Sequence, residues 1–376
     1  MTFTVSNKTL GDALNLLIKV VSSKNVLPIL DNFIFLVKDG ELTLTAADTE
    51  NMMTARISLS EVSGEGDFAV NAKSMMDAVK NIADIPLTFT FEEDNNSVKV
   101  AYQNGMFTLP TDNTNEFPNI GDIKADALTF DIPENILQEN IARTVFATAQ
   151  DELRPVMNGI FFDLTAESLN IVASDGHQLV RNKVLNIKGE DTNIGSFILP
   201  KKPAHILKNT LRKTDGTVSI KADDQRVEVV TETFTLNCRL IEGRYPNYNS
   251  VIPKSNPNIL IADRMSLIGA LKRINPFANT SSCLVRVHVE PGTLQLEAED
   301  YDFSKMATER MACEYEGATF TIGFKGSSFI EILDNIKSAE IQMQLADPSR
   351  AALILPAEQT EEQEILMLQM PMLIND

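Results

Sequence analysis

The sequence predicts an α+β chain of three tandem units, each a β-α-β-β-β motif used twice. Two observations carry this reading. An alternating strand that ends in aspartate occurs three times, as "LTLTAAD" (Leu42–Asp48), "LNIVASD" (Leu169–Asp175) and "LQLEAED" (Leu294–Asp300). The text on both sides of each copy repeats with it, at a period of about 125 residues, as a duplicated structural unit does. The units span 1–126, 127–254 and 255–376, and the joints near "NIGDIKADAL" and "VIPKSNPN" are polar and hold glycine or proline, as linkers do.

The elements follow in order. Each unit opens with a short alternating strand, a cap and a helix, in "FTVSNKTLGDALNLLIKVV", "FDIPENILQENIARTVFAT" and "LIADRMSLIGALKRINPFA". In the first, Ser6 is a good N-cap, and Leu10, Leu14, Leu17 and Val21 share one helical face. In the second, Pro133 suits the first helical position, with Leu137, Ile141 and Val145 as the apolar face. The aspartate-ended strand comes next. A further strand then leads into a second helix, in "FAVNAKSMMDAVKNI", "FILPKKPAHILKNTL" and "FTIGFKGSSFIEILDNI". Alternating strands separated by turn formers such as "EDNNS" and "ADDQ" complete each unit as hairpins.

The 376 residues exceed what one core usually holds. No apolar run approaches the roughly 18–20 residues of a membrane span. The start, "MTFTVSNKTLGD", lacks the basic-then-apolar pattern of a secretory signal. A cytoplasmic protein without membrane association is expected. Cys238, Cys283 and Cys313 are unclustered, which excludes a disulfide framework or a recognisable zinc site and reads as small buried apolar side chains. No metal or cofactor is expected. The formal net charge is −19. Taken alone it argues against a nucleic-acid binder, because phosphate contacts supply most of the affinity in ordinary DNA binding.

The middle unit raises one catalytic question, because Asp175 is followed by Gly176 and His177, one of three histidines in the chain. The aspartate recurs at the strand end in all three units, followed by "TEN" in the first and "YDF" in the third. An acid repeated in this way reads as structural, bonding turn amides. His177 has no nearby serine or cysteine nucleophile and no HxxxH or HExxH spacing. Gly176 and His177 therefore mark a binding pocket peculiar to the middle unit, and no catalytic residue is assigned. A hydrolase using His177 is the enzymatic alternative.

Read with a few local motifs, the whole chain resembles the bacterial sliding clamp family, the beta subunit of DNA polymerase III. The motifs are "LPILDNF" (Leu27–Phe33), "DELRPVMNGIFF" (Asp151–Phe162), "ASDGHQL" (Ala173–Leu179), "EGRYPNY" (Glu242–Tyr248) and "QMPM" (Gln369–Met372), in the family's order. The resemblance implies a head-to-tail homodimer of six DNA-clamp domains closed into a ring, with sheets outside and helices lining a central hole. It implies a non-enzymatic DNA polymerase processivity factor that encircles double-stranded DNA without reading its sequence. The implied partners are the replicative polymerase alpha subunit, a clamp loader and other clamp-binding-motif proteins. The loader is a separate protein, because this chain has no GxxxxGK[ST] loop. The alternative is an acidic protein-binding adaptor that does not encircle DNA.

Charge placement reconciles an acidic chain with DNA. The first helices carry Lys8, Lys19, Arg143, Arg264, Lys272 and Arg273; the second carry Lys73, Lys80, Lys201, Lys202, Lys208, Arg212, Lys213, Lys325 and Lys337. Acids concentrate in turns and strand edges such as "FEEDNN" and "AEQTEEQE". With screening over about 8 Å, DNA in a hole feels its lining more than the outer surface. By resemblance, Lys24, Lys73, Lys201 and Lys202 face DNA.

The resemblance also implies a pocket for short linear peptides with apolar anchors. Its wall is Met157, Ser174, Gly176, His177, Leu179, Pro246, Val251, Met370, Pro371 and Met372, with Arg154 at the rim. Gln178, Ser250 and Leu373 depart from arginines common in the family, which alters the electrostatics of the rim. The dimer contact, again by resemblance, joins the strand near Lys99–Met106 to the region of Phe277 and Leu294–Phe303. Phe107, Leu109 and Phe277 form its apolar part, and Glu297 and Glu299 face basic groups.

Overall fold

The computed structural model describes residues 1–376 except 23, 119, 122, 191–192 and 375–376. Part of the first predicted joint, at 119 and 122, therefore lies outside the described residues. The helices are α1 (Asn7–Leu17), α2 (Ala72–Val79), α3 (Glu134–Thr144), α4 (Lys201–Thr210), α5 (Arg264–Ile274) and α6 (Gly326–Asp334). Each follows one strand and precedes three, with one additional short strand, Glu61–Ser63, after the first motif, so the β-α-β-β-β order occurs along the chain as the repeat requires. By contacts the chain divides into two compact units, Met1–Leu137 with Asn209–Leu240, and Gln138–Lys208 with Ile241–Asp376.

The first unit holds two antiparallel sheets. The five-stranded sheet runs Glu61–Ser63, Thr2–Ser6, Pro86–Glu92, Ser97–Tyr102, Gly105–Pro110. The eight-stranded sheet runs Leu128–Pro133, Thr217–Ala222, Arg226–Val230, Thr235–Arg239, Asn51–Ser58, Glu41–Ala47, Asn32–Lys38, Gly66–Asn71. It is shared between sequence repeats: Thr235–Arg239 pairs with Asn51–Ser58, setting Leu236 opposite Met53 and Cys238 opposite Asn51. Ser6 caps α1, accepting from the Thr9 amide at 3.3 Å. Leu10, Leu14 and Leu17 are fully buried, each contributing roughly 1.5–3 kcal/mol. The helix ends at Leu17, so Val21 lies beyond it and Val20 takes the next buried position. Aromatic pairs fill the core, with Phe3 on Phe89 at 4.8 Å and Phe35 on Phe68 at 4.9 Å.

The second unit repeats the plan. Its eight-stranded sheet runs Gly195–Pro200, Gly159–Leu164, Leu169–Ser174, Gln178–Val184, Gln363–Gln369, Ala352–Pro356, Glu340–Leu345, Asn258–Asp263. Again two repeats share it, with Gln178–Val184 pairing along Gln363–Gln369 and Leu179 opposite Leu368. A four-stranded sheet runs Lys305–Ala312, Thr293–Asp300, Leu284–Glu290, Phe320–Lys325. Strand alternation sends Val285, Val287, Leu294 and Leu296 inward to meet Leu267, Leu271, Phe329 and Leu333 of α5 and α6.

The repeated aspartates do the same work three times. Asp48 Oδ1 accepts the amides of Glu50 and Asn51 at 2.7 Å. Asp175 Oδ1 accepts those of His177 and Gln178 at 2.8 Å, and Asp300 Oδ1 accepts that of Asp302 at 3.2 Å. Each carboxylate satisfies donors that a strand-to-strand turn leaves without ladder partners. One expectation is corrected: only Cys238 is buried, while Cys283 and Cys313 are half-buried.

Candidate functional site

The middle repeat builds a pocket from four pieces of the second unit. Asp175 fixes the turn after Leu169–Ser174, helped by Ser174 Oγ, which donates to the Gln178 carbonyl at 2.8 Å and accepts from the Gly176 amide at 3.1 Å. Gly176 sits at φ +93°, a region favouring glycine. The short 3-10 turn Pro155–Met157 brings in Met157 and places Arg154 beside Gly176. The segment Tyr245–Val251 supplies a wall, and Gln363–Gln369 carries Leu368 and Met370 to the site, where the Met370 amide donates to the His177 carbonyl at 2.7 Å.

The result is a cavity of about 390 Å³, within the range of small-ligand sites. Its lining includes Arg154, Met157, Ser174, Gly176, His177, Leu179, Pro246, Val251 and Met370, nine of the eleven residues expected from sequence. Pro371 and Met372 do not line it. After Met370 the chain crosses to the four-stranded sheet, where the Met372 amide donates to the Gly323 carbonyl at 2.7 Å. Gln178, Tyr245, Asn247, Tyr248 and Leu368 also line the cavity. The quoted "EGRYPNY" held three of them, but only its proline was singled out.

The floor is apolar and firm. Leu179, Tyr245, Tyr248 and Leu368 are buried in one cluster with Val172 and Ile198. The Tyr245 ring stacks on Phe161 at 4.6 Å. Tyr248 donates to Asp163 Oδ2 at 2.9 Å. Burial raises both phenol pKa values, with the Asp163 charge adding to the effect at Tyr248. The lip is apolar and exposed, at Val251 (54 %) and Met370 (40 %). Such surface, open above a packed floor, suits apolar side chains of a partner. Among the described residues no group of three or more His, Cys, Asp or Glu could hold a metal.

The four expected DNA-facing lysines lie at helix-associated positions. Lys24 is exposed in the loop after α1, Lys73 is exposed on α2, and Lys201 (half-buried) and Lys202 (exposed) open α4. Arg143 is a correction. It is buried, 3.9 Å from Glu139, and burial lowers its pKa, so it is not part of a solvated basic face. Other helix bases are tied to neighbours. Lys337 Nζ lies 2.7 Å from Glu139, Lys272 Nζ lies 3.4 Å from Asp334, and Arg264 Nε donates to the Ser338 carbonyl at 2.7 Å.

The two smaller sheets each end on an open edge. In the first unit it is Gly105–Pro110, with Phe107 and Leu109 half-buried on one face. In the second it is Lys305–Ala312, beside Phe277, which is 39 % exposed. Of the residues expected at the dimer contact, Lys99 belongs to the inner strand Ser97–Tyr102, and Met106, Phe107 and Leu109 belong to the edge strand Gly105–Pro110. Leu294, Glu297 and Glu299 belong to the inner strand Thr293–Asp300. Glu297 and Glu299 each lie 3.3 Å from Arg286 on the same sheet, so their basic partner is within the chain.

Three family models match in succession: the N-terminal, central and C-terminal domains of the DNA polymerase III beta subunit, over 1–121, 131–247 and 249–372. The chain is 28% identical to the beta sliding clamp of Pseudomonas putida over 368 residues, covering 98% of this chain and 99% of that one. It is 27% identical to that of Escherichia coli over 373 residues, covering 99% and 100%. Among solved structures, the Pseudomonas aeruginosa sliding clamp bound to griselimycin superposes with a TM-score of 0.93 at 28% identity. The Thermotoga maritima DNA polymerase III beta subunit gives 0.89 at 27%; in both cases the whole of each chain is covered.

Proposed function

The chain belongs to the DNA polymerase III beta subunit family, and on that premise we propose that it is a DNA polymerase processivity clamp, a homodimeric ring that encircles and slides on double-stranded DNA. It performs no chemistry. It tethers the replicative polymerase alpha subunit, the clamp loader and other clamp-binding-motif proteins through the pocket at Gly176 and Met370. The domains span 1–126, 127–254 and 255–376. It works in the cytoplasm; among the described residues no helix is long and apolar enough to cross a membrane.

The sharing of sheets carries this reading. In each unit the last strand of one motif pairs with the last strand of a motif from the preceding repeat: Thr235–Arg239 with Asn51–Ser58, and Gln363–Gln369 with Gln178–Val184. Applied once more, the rule leaves Lys305–Ala312 and Gly105–Pro110 without a partner among the described residues. A second copy supplies each. Two such heterologous joints close a two-copy assembly and pair these two edges. The repeat also sets the register. Met52 and Leu179 stand opposite Asn237 and Leu368; the equivalent pair across copies is Met306 with Thr108. Ala307 then faces Phe107, with Phe277 beside them.

Lys24, Lys73, Lys201 and Lys202 supply weak phosphate contacts, and topology supplies retention. Base readout would halt sliding. Loading onto nicked circular DNA by the cognate loader tests the proposal. The clamp stays on the circle and leaves within seconds of linearisation. Equal loss from both forms is the outcome of an adaptor that never encircles DNA.

A further inference from the structure

Two asparagines of the chain precede glycine, Asn104 before Gly105 and Asn158 before Gly159. This dipeptide is reactive, because glycine has no side chain to keep its backbone nitrogen away from the asparagine amide carbon. The structure treats the two differently. Asn158 is clamped: its Oδ1 accepts from the Asp151 amide and its Nδ2 donates to the Asp151 carbonyl, both at 3.0 Å. Gly159 is buried in a strand paired with Gly195–Pro200, and a Cβ there would stand 2.5 Å from the Leu199 carbonyl oxygen. Attack at that site would have to break both bonds and move a packed strand. Asn104 is exposed in the two-residue turn Gln103–Asn104, between Ser97–Tyr102 and Gly105–Pro110. Its side chain makes no hydrogen bond among the described residues. Gly105 faces Tyr102 as the last pair of an outer strand, where ladders open most readily. Its φ lies outside the left-handed region, so the turn does not demand glycine. The Tyr102 ring does, because a Cβ at position 105 would stand 2.8 Å from its Oη.

We infer that the exposed Asn104–Gly105 turn is a self-acting modification site, and that its conversion to isoaspartate loosens the joint between two copies. The effect on the joint rests on the closure reading above; the chemistry does not. The Gly105 nitrogen loses its proton to water and attacks Asn104 Cγ. The Cγ–Nδ2 bond breaks, Nδ2 leaves as ammonia, and a five-membered succinimide remains. One water then opens the ring at either carbonyl. The product is aspartate or, with the main chain routed through the former side chain, isoaspartate. Nothing is oxidised or reduced. The new charge is the lesser effect. Continued from Met306 with Thr108, the register across copies sets Asn104 opposite Arg310, and an exposed charge pair is worth little. The extra backbone atom acts on the edge itself. It displaces Gly105 from Tyr102 and from the strand of the second copy, at the end of the joint.

The test ages the full chain in warm neutral buffer and follows it by mass spectrometry of its fragments. Isoaspartate is read by methyl transfer from an isoaspartyl methyltransferase. A gain of one dalton accumulates at Asn104, together with methyl acceptance, while Asn158 stays intact. Sedimentation equilibrium then gives the aged wild type a dimer dissociation constant at least about fivefold above that of fresh protein, the scale of one lost interstrand hydrogen bond. Asn104→Gln, whose longer side chain disfavours the ring closure, gains no mass at that position and keeps its dissociation constant through the same ageing. No gain at Asn104, or an equal gain at Asn158, overturns the site. A gain at Asn104 with an unchanged dissociation constant overturns the effect on the joint. A fresh wild type that is monomeric removes closure through this edge, and that effect with it, while the mass gain still decides the site.

Discussion

Gly176 shows how much one residue reports. Its sequence context read as a catalytic corner until the repeat showed that the neighbouring aspartate is structural. The structure then places it at positive φ beneath a guanidinium. Gly176→Ala strains the backbone by about 1–2 kcal/mol and displaces Arg154. The expected result is a lowered melting temperature, together with weaker peptide binding than a distant variant of equal stability shows. Val251 lies outside the quoted strings, but the other eight pocket residues were legible because family motifs carry them. Pro371 and Met372 were not, because only the path of the chain reveals that it leaves the pocket after Met370. Leu368 was not singled out in the sequence; it is a buried strand residue and a pocket floor too, which alternation alone does not distinguish.

At the scale of elements, caps and apolar faces were legible and ends were not. Asp263 caps α5, its Oδ1 accepting the Ser266 amide at 2.7 Å. Ser266 holds the carboxyl below its ordinary pKa. Asp263→Ala should cost about 1 kcal/mol. A carboxyl with a depressed folded pKa stabilises above the unfolded value and loses that contribution as pH falls through the folded one. The melting-temperature gap between wild type and variant is therefore full at pH 7 and shrinks below about pH 4. An unchanged gap at pH 3 would assign the cap's effect to packing rather than charge. Arg143 shows the limit of a sequence reading of helix faces. On α3 it was counted with the surface bases, yet it is buried beside Glu139, as are Asn140, Ile141 and Thr144 of the same helix.

For the whole molecule, the period was legible, and with it the strand order of every motif. Which repeat lends a strand to which sheet was not, since pairing of 51–58 with 235–239 spans a separation that no local pattern encodes. That sharing turns an acidic chain of formal charge −19 into a candidate DNA clamp, by leaving one complementary pair of edges for another copy. A charge introduced on an edge should therefore act on assembly before fold: Leu109→Asp gives a folded monomer, with melting little changed and retention on circular DNA lost. The most direct measurement is the mass of the wild-type particle in solution, by sedimentation equilibrium at micromolar concentration. Twice the 41.6 kDa of one chain, falling to a single chain in Leu109→Asp, is the predicted result. A wild-type monomer, or a dimer that Leu109→Asp leaves intact, contradicts the closure of two copies through these edges.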